Sequence, residues 1–222
     1  MDDKYIKPKA LILLLLLFPC ILLAQNIQHA YPKIGCRIEN ARTDMSNGYA
    51  RPNCYWDRVR SPYGWYRNWR GAQIYASSTL VPFKGITYGA HNLHDANYRT
   101  AWVEGVPGYG IGQTITYALH PMTPSISIIN IVNGYVKSDK SWNDNARVKT
   151  IKVYVNYIPH AILHLSDVRN EQSFSIMPIS NKRMNGGRYN QRGNITITFE
   201  ILDVYPGDKF QDTAISEIYF SG

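Results

Sequence analysis

The sequence predicts an all-β domain, a sandwich or barrel, on three observations. Runs of strand length alternate apolar and polar residues from position 73 onward. Clusters of Gly, Pro and Asn separate those runs, and no stretch carries a convincing amphipathic helical stripe.

Taken in order, the first clear run is Gln113 to Leu119, where Ile115 and Tyr117 alternate with Thr114 and Thr116. Ser125 to Val132 alternates at first and then becomes wholly apolar. Val148 to Val155 sets Val148, Ile151, Val153 and Val155 against Lys149, Lys152 and Tyr154, and its slip at Thr150 suggests a bulge. Ala161 to Leu165, Ser173 to Met177, Asn194 to Leu202 and Ala214 to Phe220 complete the set. Asn185-Gly186-Gly187-Arg188 reads as the end of a hairpin.

The start of the chain reads as a targeting segment. Lys4, Lys7 and Lys9 precede the apolar run Ala10 to Leu23, which is too short to span a bilayer as a helix. Residues 1–24 are thus expected to be a signal peptide cleaved after Ala24, with an uncleaved anchor as the alternative. Pro19 before Cys20 disfavours a lipid-anchored variant. The expected location is secreted or extracytoplasmic, in the periplasm or at the cell surface of a bacterium. The net charge is +8, and losing the three Lys and two Asp of the leader leaves +7. A basic exported protein meets anionic surfaces readily. Its Lys and Arg are nevertheless spread along the chain, which disfavours nucleic acid as a partner.

Residues 25–72 differ in composition from the remainder of the mature chain. They hold Cys36 and Cys54 and many Arg and aromatic residues, including Trp56, Trp65 and Trp69. No clean period is present, and the stretch reads as an irregular extension pinned by one Cys36–Cys54 disulfide. Such a bridge would contribute about 3 kcal/mol in the chain-entropy picture. Residues 73–222 form the sandwich proper.

Two distant segments stand out chemically. Asp95, Asn97 and Thr100 crowd oxygens into one turn before Trp102, and Glu217 interrupts an apolar final strand. A hard cation such as calcium, which takes six to eight oxygens, would explain both, with the Ala214 carbonyl as a further ligand. On spacing alone an Asx turn with an outward Glu217 is the simpler reading.

The polar loop from Gly134 to Arg147 has the vocabulary of sugar binding: aromatic rings with amides, carboxylates and cations around them. Its candidates are Tyr135, Lys137, Asp139, Trp142, Asn143 and Arg147, with Arg169 and Glu171 from a neighbouring turn. Trp142 is either a binding platform or a lid on the core, and the sequence leaves both open. Arg147 opens a strand and could support the loop instead.

Enzymatic readings find less. His91, His94 and Asp95 lack a third His and a base at metalloenzyme spacing. His160 and His164 share one face of a strand. No phosphate loop, nucleophile elbow or dinucleotide fingerprint is present. A small glycosidase using carboxylates such as Glu104, Glu171 or Asp139 stays open as a lesser reading.

Several motifs agree in order with a known family. Ala76-Ser77-Ser78-Thr79-Leu80, Asn92 to Gly105, Gly108 to Gly112, Asn133-Gly134-Tyr135, Asn145 to Lys149, Asp203-Val204-Tyr205 and Ala214 to Ile218 resemble the discoidin, or coagulation-factor type C, family. The nearest subgroup is the domain attached to bacterial NAD glycohydrolase toxins, associated there with glycan binding and translocation. The resemblance covers roughly residues 73–222. It implies a galactose-binding-like jelly-roll β-sandwich, a structural calcium at Asp95, Asn97, Thr100, Ala214 and Glu217, and ligand loops at one end. Where many relatives carry Asp-Gly-Asp, this chain has Asp95-Ala96-Asn97, which removes one carboxylate. Trp102 is expected in the core. The similar toxins keep NAD cleavage in a separate domain, so the expectation is a non-catalytic glycan-binding module. The alternative is an adhesion module for a protein or membrane surface.

Overall fold

The computed structural model describes residues 27–38, 73–120, 123–180, 182–185, 188–191 and 194–222. The expected leader lies outside these residues, as do Cys54 of the proposed Cys36–Cys54 bridge and Trp56, Trp65 and Trp69. Among the described residues no helix is long and apolar enough to cross a membrane.

The strands are β1 (Gln28–Ala30), β2 (Lys33–Arg37), β3 (Gln73–Ala76), β4 (Trp102–Val103), β5 (Thr114–Leu119), β6 (Ile126–Asn133), β7 (Ala146–Val155), β8 (Ile158–His164), β9 (Asn170–Ile179), β10 (Lys182–Asn185), β11 (Arg188–Gln191), β12 (Ile195–Tyr205) and β13 (Thr213–Ser221). Among the described residues a 3-10 turn spans Ala90–His94, and a helix, α1, spans Asp139–Asp144.

One ladder runs β2–β9–β6–β13 and another runs β3–β5–β12–β7. They join through a short parallel contact of β13 with β7 at Thr213–Ala146 and Ala214–Arg147. β8 adds to β7, and β1 adds to β8. β5 shows why this is a sandwich: burial alternates along it, with Ile115, Tyr117 and Leu119 inward. Tyr117 meets Phe199 of β12 and Phe220 of β13 at ring distances of 5.9 and 5.2 Å, so one side chain bridges both ladders. Trp102 is fully buried in the same core, as expected, and gives its Nε1–H to the Ser78 carbonyl at 3.0 Å.

The expected slip at Thr150 is present: the β12–β7 register shifts around Asp203, which pairs with Thr150. Asn185 and Arg188 close the β10–β11 hairpin. The start of the supposed irregular extension, by contrast, is ordered. β1 pairs parallel with β8 and β2 pairs antiparallel with β9, so residues 28–37 form a strap from one ladder to the other. Strands of three and five residues are too short to display a period, and their partners lie far along the chain.

Candidate functional site

Strand directions send one set of connections to one end of the sandwich. β3, β6 and β12 finish there, while β5, β7, β9 and β13 begin there. The loops 77–113, 134–145, 165–169 and 206–212 therefore share that end.

A cleft of about 460 Å³ opens among three of them. That lies within the roughly 300–1,000 Å³ usual for small-molecule sites. Leu80, Phe83, Ile86 and Tyr88 form one wall, and Phe210 and Asp212 form another. Tyr135, Lys137, Ser138 and α1 form the third. Phe83 is 62% exposed and Phe210 41% exposed, so both rings present a face to solvent. Phe83 sits on a miniature hairpin closed by its own pairing with Ile86, where Lys84 and Gly85 take left-handed φ of 48° and 78°. Phe210 is placed by the end of α1: backbone N–H groups of Asp208 and Phe210 reach the carbonyls of Asn143 and Asp144 at 2.8 and 2.7 Å. These bonds satisfy carbonyls that a helix end leaves open. Gly207 permits the approach, since a Cβ there would sit 2.5 Å from the Asp144 carbonyl oxygen.

α1 is itself held by a reciprocal cap. The Ser138 hydroxyl accepts from Ser141 N–H at 3.1 Å and the Ser141 hydroxyl accepts from Ser138 N–H at 2.9 Å. The sequence predicts only a loop over this stretch, because the cap uses Ser where Glu or Gln is the usual signal.

The loop residues singled out from sequence divide into two groups. Tyr135 and Lys137 line the cleft. Trp142, Arg147, Arg169 and Asp139 do not; they build the support behind it. Trp142 packs on the cluster of Ile38, Tyr98, Val132 and Val136 and donates its Nε1–H to the Asn133 carbonyl at 3.3 Å. It is the lid of the two readings. Arg147 is buried and gives a forked pair of bonds to Asp167 at 2.7 and 3.1 Å. It also donates to the carbonyls of Trp142, Asn145 and Pro206 at 3.1, 2.9 and 3.3 Å, tying three loops together. Arg169 pairs with Asp139 and with the Val136 carbonyl. Asn143 keeps an exposed side chain and serves through its carbonyl. Glu171 lies buried against Gly35 of β2, away from the cleft. Glu104 is also buried, accepting from Val106 N–H at 2.8 Å, so the three acids weighed for hydrolysis do not converge there.

The proposed cation ligands mostly assemble. Asp95 accepts from Asn97 N–H at 2.8 Å and from the Thr100 hydroxyl at 2.7 Å. Glu217 reaches across from β13 to accept from Asn97 N–H at 3.0 Å. Glu217 is completely buried, and its carboxyl also meets the Asp95 carboxyl and the Ala96 backbone. Burial pushes its carboxyl well above the usual range, and the neighbouring Asp95 pushes it further. Burial raises Asp95 as well. Two carboxyls crowded into one turn, both raised by burial, are a donor set that suits a hard cation. Ala214 stands apart: its carbonyl accepts from Gly134 N–H at 3.1 Å, and its side chain packs with Ala101, Val103 and Tyr135. Among the described residues no three His, Cys, Asp or Glu side chains converge, so the set depends on amide, hydroxyl and backbone oxygens to complete a shell. The turn also touches the cleft, because the Tyr135 hydroxyl donates to the Arg99 carbonyl at 3.2 Å.

The cleft aromatics Phe83, Tyr88 and Phe210 are not marked out by the sequence. The available signal is a lone Phe beside a Gly-containing turn, in Phe83-Lys84-Gly85 and Gly207-Asp208-Lys209-Phe210.

Among solved structures, CpGH89CBM32-5 of Clostridium perfringens, in complex with GalNAc-β-1,3-galactose, aligns at 13% identity with a TM-score of 0.46, over 70% of this chain and 98% of that one. The CBM32-1, CBM32-2 and M60 catalytic domains of C. perfringens ZmpB align at 12% identity with a TM-score of 0.51, over 88% of this chain and 16% of that one. At such identities the likeness is one of fold. No curated protein matches the chain in sequence. Residues 65–221 match the family described as the NAD glycohydrolase translocation F5/8 type C domain. That match spans well over half of the sequence and contains every loop of the cleft, and the chain therefore belongs to this family.

Proposed function

We propose that this protein is an exported, non-catalytic carbohydrate-binding module whose ligand enters the cleft between Phe83, Tyr135 and Phe210. The observation that carries this reading is the cleft's composition. Exposed aromatic faces flank it, and hydroxyls, an amide, Lys137 and Asp212 surround them on loops fixed by Arg147 and α1. Aromatic faces take up the C–H side of a sugar ring, and the polar groups take up its hydroxyls. The fold neighbour bound to GalNAc-β-1,3-galactose is consistent with this reading.

A calcium ion at Asp95, Asn97, Thr100 and Glu217 belongs to the proposal. When bound it would supply positive charge to two buried carboxyls and link the 95–100 turn to β13. The chain's own residues do the rest: Thr100 orients Asp95, and Arg99 holds Tyr135.

The test is glycan-array binding by the full chain and by Phe210→Ala. Specific signals lost in the variant support the reading, and a blank array with folded protein sinks it.

A second reading, adhesion to a lipid surface, is favoured by one observation. Two loop tips pair an aromatic with a cation, Lys84 near Phe83 and Lys209 near Phe210, at 5.3 and 5.0 Å. Val81 beside them is 77% exposed. Co-sedimentation with anionic vesicles and no glycan signal would select this reading.

A further inference from the structure

The cleft holds two charges that a neutral sugar leaves unused. Asp212 stands half-buried in one wall, and among the described residues no cation pairs with its carboxyl. A second acid lies close by: Thr213, next in the chain, gives its N–H to the fully buried Glu104 at 3.4 Å. Burial raises Glu104, and the Asp212 charge raises it further. Lys137 stands exposed in another wall, also without an acid partner among the described residues. The remaining charged pair of the cleft, Lys140 and Asp144, neutralises itself.

The rest of the lining is largely aromatic and aliphatic. Tyr88 packs on the cluster that holds Tyr135, so the two tyrosines form one fixed side. Phe83 and Phe210 already hold cations over their faces, the ammonium groups of Lys84 and Lys209 at 5.3 and 5.0 Å. Aromatic faces beside a carboxylate are the surroundings that suit a quaternary ammonium ion, which carries its charge on methyl groups. Lysine's own ammonium is strongly hydrated and competes poorly for a desolvated place.

We infer that the cleft binds a phosphocholine group, its trimethylammonium end among Phe83, Tyr88 and Phe210 beside Asp212 and its phosphate toward Lys137. The inference rests on the carbohydrate reading, in which this group is a substituent of the bound glycan; a lipid headgroup offers the same chemistry. A neutral sugar leaves the Asp212 carboxyl partly desolvated without a counter-charge, which costs affinity. An acidic group alone would meet Lys137 and face Asp212, and a simple ammonium would do the reverse. A zwitterion with methylated nitrogen satisfies both charges and the rings.

The test is isothermal titration of the full chain with phosphocholine, choline and phosphoethanolamine, beside an array of matched glycans with and without phosphocholine. Phosphocholine should bind with one equivalent and about tenfold more tightly than phosphoethanolamine, whose nitrogen lacks the methyl groups. Asp212→Asn should weaken phosphocholine and choline about tenfold each. Lys137→Gln, an exposed change that leaves the fold alone, should weaken phosphocholine more than choline. No binding of phosphocholine at millimolar concentration overturns the inference, as does unchanged affinity in both variants. Neutral glycans that bind and are not displaced by phosphocholine also overturn it, and they leave the carbohydrate reading standing. Phosphocholine binding with a blank array, and sedimentation with phosphatidylcholine vesicles, upholds the site and names a lipid as its source.

Discussion

The guanidinium of Arg147 lies over the indole of Trp142, 4.3 Å from the ring centre. The same ring packs on the Ile38, Tyr98, Val132 and Val136 cluster. A cation over a partly desolvated indole contributes about 0.5–2 kcal/mol. Gly134 makes room for the pair, because a Cβ there would meet Trp142 Cδ1 and Arg147 Cγ at 2.8 Å each. The conspicuous Trp of the polar loop is therefore part of the frame on which the cleft is built.

Replacing that frame should cost stability before it costs recognition. Trp142→Ala is expected to destabilise by about 3 kcal/mol. Arg147→Lys loses the forked bonds to Asp167 and should cost about 2 kcal/mol. Urea denaturation measures both. An unfolding midpoint equal to the parent's in either variant would contradict the arrangement.

The exposed aromatics should behave in the opposite way. Phe83→Ala and Phe210→Ala remove rings that the core does not use. Each should leave the melting temperature close to the parent's and weaken glycan binding by about 1.4 kcal/mol, roughly tenfold. Isothermal titration with the best array ligand decides this.

The Asp95–Glu217 pair should give a pH dependence whose sign reverses if the proposed calcium binds. Both carboxyls are raised in the folded state, Glu217 strongly. Without an ion, their contribution is fully present below the ordinary carboxylate range and is lost as pH rises toward the folded value of Glu217. The chelated protein should therefore lose stability on going from about pH 4.5 to pH 8. A bound cation favours the ionised forms, so added calcium should stabilise increasingly over the same interval. Glu217→Gln should abolish the calcium response while leaving the chelated protein at pH 8 at least as stable as the parent. Melting curves across pH, with chelator and with calcium, test all three.

Two backbone positions can be improved. Tyr157 has φ 67° in the two-residue β7–β8 turn and is 86% exposed. Ala96 has φ 58° in the Asp95–Thr100 turn. Left-handed backbone costs a residue with a side chain about 1–2 kcal/mol, partly offset by the entropy glycine brings. Tyr157→Gly and Ala96→Gly should each stabilise by about 1 kcal/mol, read from denaturation midpoints.

The strands are legible because burial on one face writes itself as alternation. β5, from Thr114 to Leu119, falls within the run read as Gln113 to Leu119. Even the irregularity at Thr150 is visible as a broken period. The proposed cation ligands are a different case. Asp95, Asn97 and Thr100 spell an ordinary Asx turn, and on spacing that simpler reading outweighs a cation shared with Glu217, more than a hundred residues away, until the family resemblance is added. Ala214 is expected to add its carbonyl to the same shell, and here that carbonyl serves Gly134. The cleft is the least legible part. Phe83 and Phe210 belong to loops that meet only after the strands between them have folded, and no local pattern records that meeting. Trp142 misleads because a polar neighbourhood in sequence says nothing about what packs beneath the ring.

The strap also decides where this domain can be cut. Residues 28–37 lie outside the 65–221 stretch that matches the family, yet they supply the outermost partners of β8 and β9. A fragment trimmed to the family match would leave both strands with unpaired backbone donors and acceptors along an open sheet edge, the usual template for self-association. Ile158 and Met177, already 58% and 52% exposed on these two strands, would add apolar surface to that edge. Soluble expression should therefore depend on starting the chain ahead of Gln28, and a tendency of shorter fragments to aggregate would report a missing partner strand more than a defective core.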